Sequence, residues 1–391
     1  MLIQVSQPVS ALSRLTKNPS LDPESVQSFV EDHTFPLQDG SRTTFVFHGP
    51  AEAVRLQHWL DGSPKSQNFQ RHENVDVWHL TLHLPEKSRI EYKLEVVDNG
   101  QTRLIHDPLN PLLAHDPFGA NSVCYGPGYE IPDWTLPDPT TQGGTIEEVG
   151  IESGALGGSR DLGIYLPAGH DEDSSHPALI VHDGSDFLEF SDLKTVLDNL
   201  IYRGEIAPLV VALIDPVDRF QEYAGDPGHA QHVAEEVLHL LQEEYGVSSR
   251  AADHGLMGAS FGAVASLYTA WRFPRIFGRL LLQSGSFVVT GSGLERLAPE
   301  FRPIVAFSQL FRTNPRAVSE KIYVSCGQFE SLVHPNRELV PLLEAAGMEV
   351  RYTETPDGHN WENWRDRLRE GLSFLFPGPA SPDSPAAVGK E

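Results

Sequence analysis

The sequence predicts an α/β fold, a mostly parallel sheet with flanking helices, preceded by an all-β sandwich. Three observations carry that expectation. Short apolar runs at 177–181, 210–214 and 254–257, joined by strand-like stretches at 321–326 and 349–354, have the length and texture of strands in a parallel sheet. Helix-forming stretches at 262–271 and 336–346, the latter closed by Gly347, follow such runs and make the strand-helix-strand units that parallel pairing needs. Residues 38–126 differ in texture: Val75-Asp76-Val77-Trp78-His79-Leu80-Thr81-Leu82 and Tyr92-Lys93-Leu94-Glu95-Val96 follow the period of two of half-buried antiparallel strands, with Pro and Gly clusters between.

A chain of 391 residues with 40% hydrophobic content can bury two cores, at about 150 residues per domain. The expected sandwich occupies 1–130 with a partly irregular start, and the α/β domain occupies 145–376. The Pro-, Asp-, Thr- and Gly-rich stretch 127–144, at its core 131–144, reads as a linker, and the Pro/Ala/Ser-rich end, 377–391, reads as a disordered tail.

Within the α/β domain the most informative stretch is Gly258-Ala259-Ser260-Phe261-Gly262, set between a strand-like run and a helix-forming run. A serine on such a sharp turn presents its hydroxyl, and the helix N-terminus behind it favours a developing oxyanion. Side chains at Gly258 or Gly262 would crowd the crossing of strand and helix. Alone the pentapeptide also occurs in ordinary tight turns, so its partners decide its meaning.

Those partners follow in the chain order serine, acid, histidine, each after a predicted strand. The strand at 321–326 runs into Gly327-Gln328-Phe329-Glu330, which makes Glu330 the candidate acid. The strand at 349–354 ends in Thr355-Pro356-Asp357-Gly358-His359, which makes His359 the candidate base and leaves Asp357 as a competing acid. Upstream, the strand at 177–181 ends at His182-Asp183-Gly184-Ser185, where a second oxyanion donor is expected, so the hole is assigned to the amides of Ser185 and Phe261. Ser260, Glu330 and His359 are thus the expected catalytic residues.

The remaining histidines, including His182, His229 and His232, read as surface or supporting residues. No metal-ligand spacing is visible among them, and no metal or cofactor is expected. Cys124 and Cys326 fall in different domains, which does not support a disulfide framework. The first six residues lack a charged segment followed by a long apolar core, so neither a signal peptide nor a membrane span is expected and the cytoplasm is the default location. A formal net charge of −25 argues against nucleic-acid or anionic-membrane partners, leaving a small-molecule ester as the expected partner; the oligomeric state is left open.

From about residue 145 to 376 the chain resembles the esterase D family of α/β-hydrolases, and most its enterochelin (enterobactin) esterase branch. The residues that carry the resemblance are Asp183-Gly184, Ile214-Asp215-Pro216-Val217-Asp218-Arg219 with Glu222-Tyr223, the Ser260 pentapeptide, Gln283-Ser284-Gly285-Ser286-Phe287, Gly327-Gln328-Phe329-Glu330, and Gly358-His359-Asn360-Trp361-Glu362-Asn363-Trp364-Arg365. Two positions depart from the family's pattern: Ala263 stands where a second glycine is usual, and Asp357-Gly358-His359-Asn360 stands where Gly-Gly-His-Asp is frequent. Asp107-Pro108-Leu109-Asn110-Pro111 and Phe118-Gly119-Ala120-Asn121-Ser122-Val123 resemble the end of the early-set or glycogen-binding-like modules that precede such esterases.

The resemblance implies two-step acyl transfer on a carboxylic ester, either a siderophore triester or a related aryl or acyl ester. Arg219 is the expected cation for an anionic catecholate, against an internal ion pair with Glu222 or Asp218, and Asp183 and Trp361 join it as expected substrate-binding residues. The alternatives are a carbohydrate esterase acting on feruloyl or acetyl groups and a non-catalytic binding protein on the same fold. Sugar binding by the sandwich would need exposed aromatics, whereas Trp59 and Trp78 fit a core equally well; packing over the hydrolase to shape its cleft is the preferred expectation.

Overall fold

The structure, a computed structural model, describes residues 22–58, 60, 65–72, 75–289 and 301–381. It divides into two compact units. The first comprises the described residues up to Glu130 together with Gln328–Glu330 and Pro356–Gly358, and the second comprises Ile131–Gly327, Ser331–Thr355 and the chain from His359 onward.

In the first unit a helix, Pro23–Glu31, is capped by the Asp22 carboxylate, which accepts from the Ser25 amide at 2.7 Å. Ten strands follow among the described residues: β1 (Leu37–Asp39), β2 (Arg42–His48), β3 (Ala53–Gln57), β4 (Ser66–Asn68), β5 (Gln70–Arg71), β6 (Val77–His83), β7 (Arg89–Asp98), β8 (Gln101–Ile105), β9 (Leu113–Asp116) and β10 (Gly119–Tyr125). They form two antiparallel sheets, β1-β2-β6-β5 and β4-β3-β7-β10-β9, with β8 also paired to β7. The period-two runs supply the core between them: Phe45 and Trp78 from one sheet meet Leu56, Tyr92 and Leu94 from the other. Trp78 is a core residue that donates to the Gly49 carbonyl, and Trp59 lies outside the described residues. The Asp107–Asn110 stretch is a satisfied buried polar network: Tyr92 Oη donates to Asp107 at 2.7 Å, and Asn110 Nδ2 donates to Tyr92 Oη and to the Val123 carbonyl.

In the second unit eight strands form one sheet: β11 (Thr145–Glu152), β12 (Ser159–Leu166), β13 (Ala178–His182), β14 (Val210–Ile214), β15 (His254–Ala259), β16 (Arg279–Gln283), β17 (Lys321–Gly327) and β18 (Glu349–Thr355). Their order is β11-β12-β14-β13-β15-β16-β17-β18, antiparallel for the first two and parallel from β14 onward. Successive residues of the central strands enter opposite cores: Ile180, Ala212, Leu256, Leu282 and Val324 face one, and Val181, Leu213, Met257, Leu281 and Tyr323 face the other. Burial on both faces explains why these strands read as continuous apolar runs. The helices Phe261–Arg272 and Val333–Ala345 bury apolar residues in the first core, and Leu193–Tyr202 and Leu368–Leu375 in the second.

Two expectations are corrected here. The stretch read as a linker is folded into the second unit: Trp134 is buried in its core, and Asn199 Nδ2 donates to the carbonyls of Trp134 and Leu136. The buried Trp134 ring and the two hydrogen bonds from Asn199 anchor the stretch, and Pro and Gly content alone does not reveal such anchors. The start of the expected tail is also packed, since Gly378 donates to the Glu205 carbonyl and Ala380 to that of Gly204; residues 382–391 lie outside the described residues. No helix among the described residues is long and apolar enough to cross a membrane.

Candidate active site

Ser260 directly follows β15 and directly precedes the helix Phe261–Arg272, with φ 56° and ψ −114°. A non-glycine residue there is strained, and the surroundings impose the strain. A Cβ on Gly258 would lie 2.3 Å from the Gly262 carbonyl carbon, so backbone meets backbone at the crossing and only glycine fits. A Cβ on Gly262 would approach His182 Cβ at 3.2 Å, a tight contact with a side chain that can yield slightly.

The turn after β16 braces the serine. Ser260 N–H donates to the Gln283 carbonyl at 2.9 Å, Ser286 N–H donates to the Ser260 carbonyl at 3.2 Å, and the two hydroxyl oxygens lie 3.3 Å apart. The Phe261 amide opens a 12-residue helix, where an N–H has no intrahelical acceptor, and it is the donor nearest in sequence to Ser260 Oγ. The other expected oxyanion donor is engaged elsewhere: Ser185 N–H donates to Asp215 Oδ1 at 3.2 Å. That carboxylate sits at the carboxyl end of β14, beside the β13 turn, a pairing the sequence did not reveal.

His359 lies just beyond β18, exposed, with its ring edge-on to Trp364 at 5.0 Å and 89°. The next residue caps the helix Trp361–Arg365: Asn360 Oδ1 accepts from the Asn363 amide at 2.9 Å. Asparagine and aspartate cap equally well, so the departure from His-Asp at this position leaves the cap in place. Glu330 and Asp357 belong to the first unit, and both are buried. Asp357 faces the Arg89 guanidinium at 3.6 Å and accepts from the Gly358 amide at 2.6 Å, while Arg89 N–H donates to the Pro356 carbonyl at 3.1 Å. Phe329 packs against the sandwich core.

The expected substrate-binding residues divide. Asp183, with φ 57°, is 3% exposed, and both of its oxygens accept from Arg219, through Nε and Nη2, at 2.8 Å each. Its amide donates to Tyr223 Oη at 3.0 Å, and the guanidinium lies over the rings of Tyr223 and Phe261. Both carboxylate oxygens of Asp183 are thus engaged by Arg219. Neither expected internal partner holds Arg219: Glu222 accepts the amides of Val217 and Asp218 and faces His229 at 3.5 Å, and Asp218 caps the short helix Arg219–Glu222. Trp361 is packed among aromatic rings. It is 9% exposed, edge-on to Phe187 at 5.2 Å and to Trp364 at 4.8 Å, because its place in the helix turns it into the core.

Burial shifts the charges nearby. Burial first, then the Asp183 and Asp215 carboxylates, push Asp186 up to about 6, and burial raises Asp215 as well. His182, wholly buried behind the serine turn, is held well below the ordinary imidazole range by desolvation and then by His229. Its Nδ1 lies 3.1 Å from the Met257 carbonyl, which fixes the neutral tautomer with the proton on Nδ1.

Residues 153–375, more than half of the chain, match the Esterase family model. The iron(III) enterobactin esterase of Dickeya dadantii (strain 3937) is 25% identical over 443 aligned residues, covering 99% of each chain. That of Escherichia coli (strain K12) is 24% identical over 334 residues, covering 79% of this chain and 82% of its own. Among solved structures, the ferric enterobactin esterase from Salmonella typhimurium has the same fold, with a TM-score of 0.70 at 23% identity over 85% of this chain and 93% of that one.

Proposed function

The chain belongs to the Esterase family and is a carboxylic ester hydrolase, and we propose that it cleaves a catecholate siderophore triester of the enterobactin type with Ser260 as nucleophile, His359 as base and Glu330 as acid. The observation that carries the chemistry is the strained backbone of Ser260 on the strand-to-helix crossing. His359 takes the proton from Ser260 Oγ as that oxygen attacks the ester carbonyl, and the oxyanion forms against the Phe261 amide at the positive end of its helix. The leaving alkoxide takes the proton from His359 and departs. Water attacks the acyl-enzyme, gives its proton to His359, and regenerates Ser260. Glu330 would orient the imidazolium throughout.

The substrate class is supported by the two relatives, each named an iron(III) enterobactin esterase, the first of which aligns along nearly the whole chain. An anionic ligand meets long-range repulsion from a net charge of −25, so local capture by a cation is needed. Arg219 suits that role, because its side chain is 36% exposed and the pair with Asp183 uses Nε and Nη2, leaving Nη1 for a ligand.

The test is a substrate panel of ferric and iron-free catecholate triesters, feruloylated sugars and p-nitrophenyl esters, run with Ser260→Ala and with fluorophosphonate labelling. Wild type should label and should prefer the catecholate triester, while Ser260→Ala should lose about 10⁶ in kcat. Preference for a feruloylated sugar would overturn the substrate, and activity of the alanine variant above about a tenth would overturn the nucleophile.

A further inference from the structure

The turn after β16 touches Ser260 directly and reaches His359 through Trp364. Toward the nucleophile, Ser286 donates its amide to the Ser260 carbonyl, and the two hydroxyls share a hydrogen bond with their oxygens 3.3 Å apart. Toward the base, Ser284 Oγ accepts from Trp364 Nε1 at 2.9 Å, Gln283 Nε2 donates to the Trp364 carbonyl at 2.8 Å, and the Trp364 ring stands edge-on to His359. These groups are buried: Gln283, Ser284 and Ser286 are at most 2% exposed, so their hydrogen bonds escape competition from water.

The turn is itself held in an unfavourable shape. Ser284 has φ 47°, and its amide donates to the Ser325 carbonyl of β17 at 2.7 Å. A Cβ at Gly285 would lie 2.0 Å from the Phe287 ring, and the Gly285 carbonyl accepts from the fully buried Asn336 at 2.8 Å. A left-handed serine pinned on both sides persists only where the surroundings over-determine it.

We propose that this turn is a positioning element that sets nucleophile against base: Ser286 acts through Ser260, and Ser284 acts through Trp364 on His359. When His359 removes the Ser260 proton, Oγ becomes an acceptor only, and the Ser286 hydroxyl can donate to it. The Ser284 hydroxyl fixes the indole, and the indole edge limits where the imidazole can lie. The inference rests on Ser260 and His359 being nucleophile and base.

The experiment measures kcat, KM and melting temperature on the full chain with p-nitrophenyl butyrate for Ser286→Ala, Trp364→Phe, Ser284→Gly and the double variant S284G/W364F, with Ser260→Ala as reference. Glycine tolerates the left-handed backbone at 284, and phenylalanine keeps a ring edge against His359 while removing the N–H. Each single variant should lower kcat about tenfold or more with KM within about twofold, since small misplacement at a reacting centre has large effects. The double variant should match the worse single variant, because both changes break one hydrogen bond. Single variants with wild-type kcat, losses shared equally by kcat and KM, or multiplying effects in the double variant would each overturn the proposal. An active Ser260→Ala would instead overturn the assignment beneath it.

Discussion

Arg219 grips both carboxylate oxygens of Asp183, each prong 2.8 Å long, immediately before the helix that begins at Gly184. The pair joins the turn after β13 to the turn after β14, and it makes the candidate ligand cation part of the framework.

Arg219→Ala should therefore do two things. It strands a carboxylate that is 3% exposed, at a cost of about 2–3 kcal/mol, near the low end for a buried pair because Arg219 itself is partly exposed. It should also raise KM for the catecholate triester about tenfold, the worth of one charge-assisted contact. Adding Asp183→Asn removes the stranded charge, so the double variant should recover most of the melting temperature but not the KM. If the double variant regained affinity as well, Arg219 would serve the fold alone.

The acid can be settled by comparing Glu330→Gln with Asp357→Asn. A carboxylate that holds the imidazole in place is worth about 10⁴ in kcat. Asp357 already faces Arg89, so its amide variant should act mainly on stability. A larger kcat loss at Asp357 than at Glu330 would reverse the assignment.

Stability should depend on pH in opposite senses at two neighbouring groups. His182 is held well below the ordinary value of about 6.5, so its contribution is present above that pH and falls as the unfolded chain gains the proton. One pH unit below, the loss is about 1.4 kcal/mol. Asp186 is raised to about 6, so its native form takes up a proton first and stability recovers as pH falls from about 6 toward 4. Thermal melts from pH 8 to 4.5 should fall less steeply in His182→Asn, with the remainder of the slope left to His58, His79 and His232, and more steeply in Asp186→Asn. A slope unchanged in either variant would contradict the corresponding shift.

The two motif glycines should rank differently. Gly258→Ala places a methyl 2.3 Å from backbone and should prevent the turn from forming, whereas Gly262→Ala meets His182 Cβ at 3.2 Å and should leave a folded, weakened enzyme. Circular dichroism and activity measured together test the order, and a folded, active Gly258→Ala would contradict the geometry.

The parts legible in the sequence were those written in local pattern. Runs buried on both faces marked β13, β14, β15 and β17, period-two alternation marked β6 and β7, and Gly258, Ser260 and Gly262 marked a turn whose backbone demands those residue types. Burial and backbone conformation leave a trace at each position, so one chain suffices to read them. Partners chosen across the sheet leave no such trace. That Arg219 would take Asp183 rather than Asp218 or Glu222, that Asp215 would take the Ser185 amide, and that Trp361 would face the core were decided by which strands β13 and β14 lie beside and how each helix is turned. The same holds for Ser284 and Ser286, which stood in a recognised stretch without a role until β15 and β16 were paired and Trp364 was brought against them. Hydrogen bonds between residues 26 and 80 positions apart depend on the register of neighbouring strands, and register exists only once the sheet is assembled.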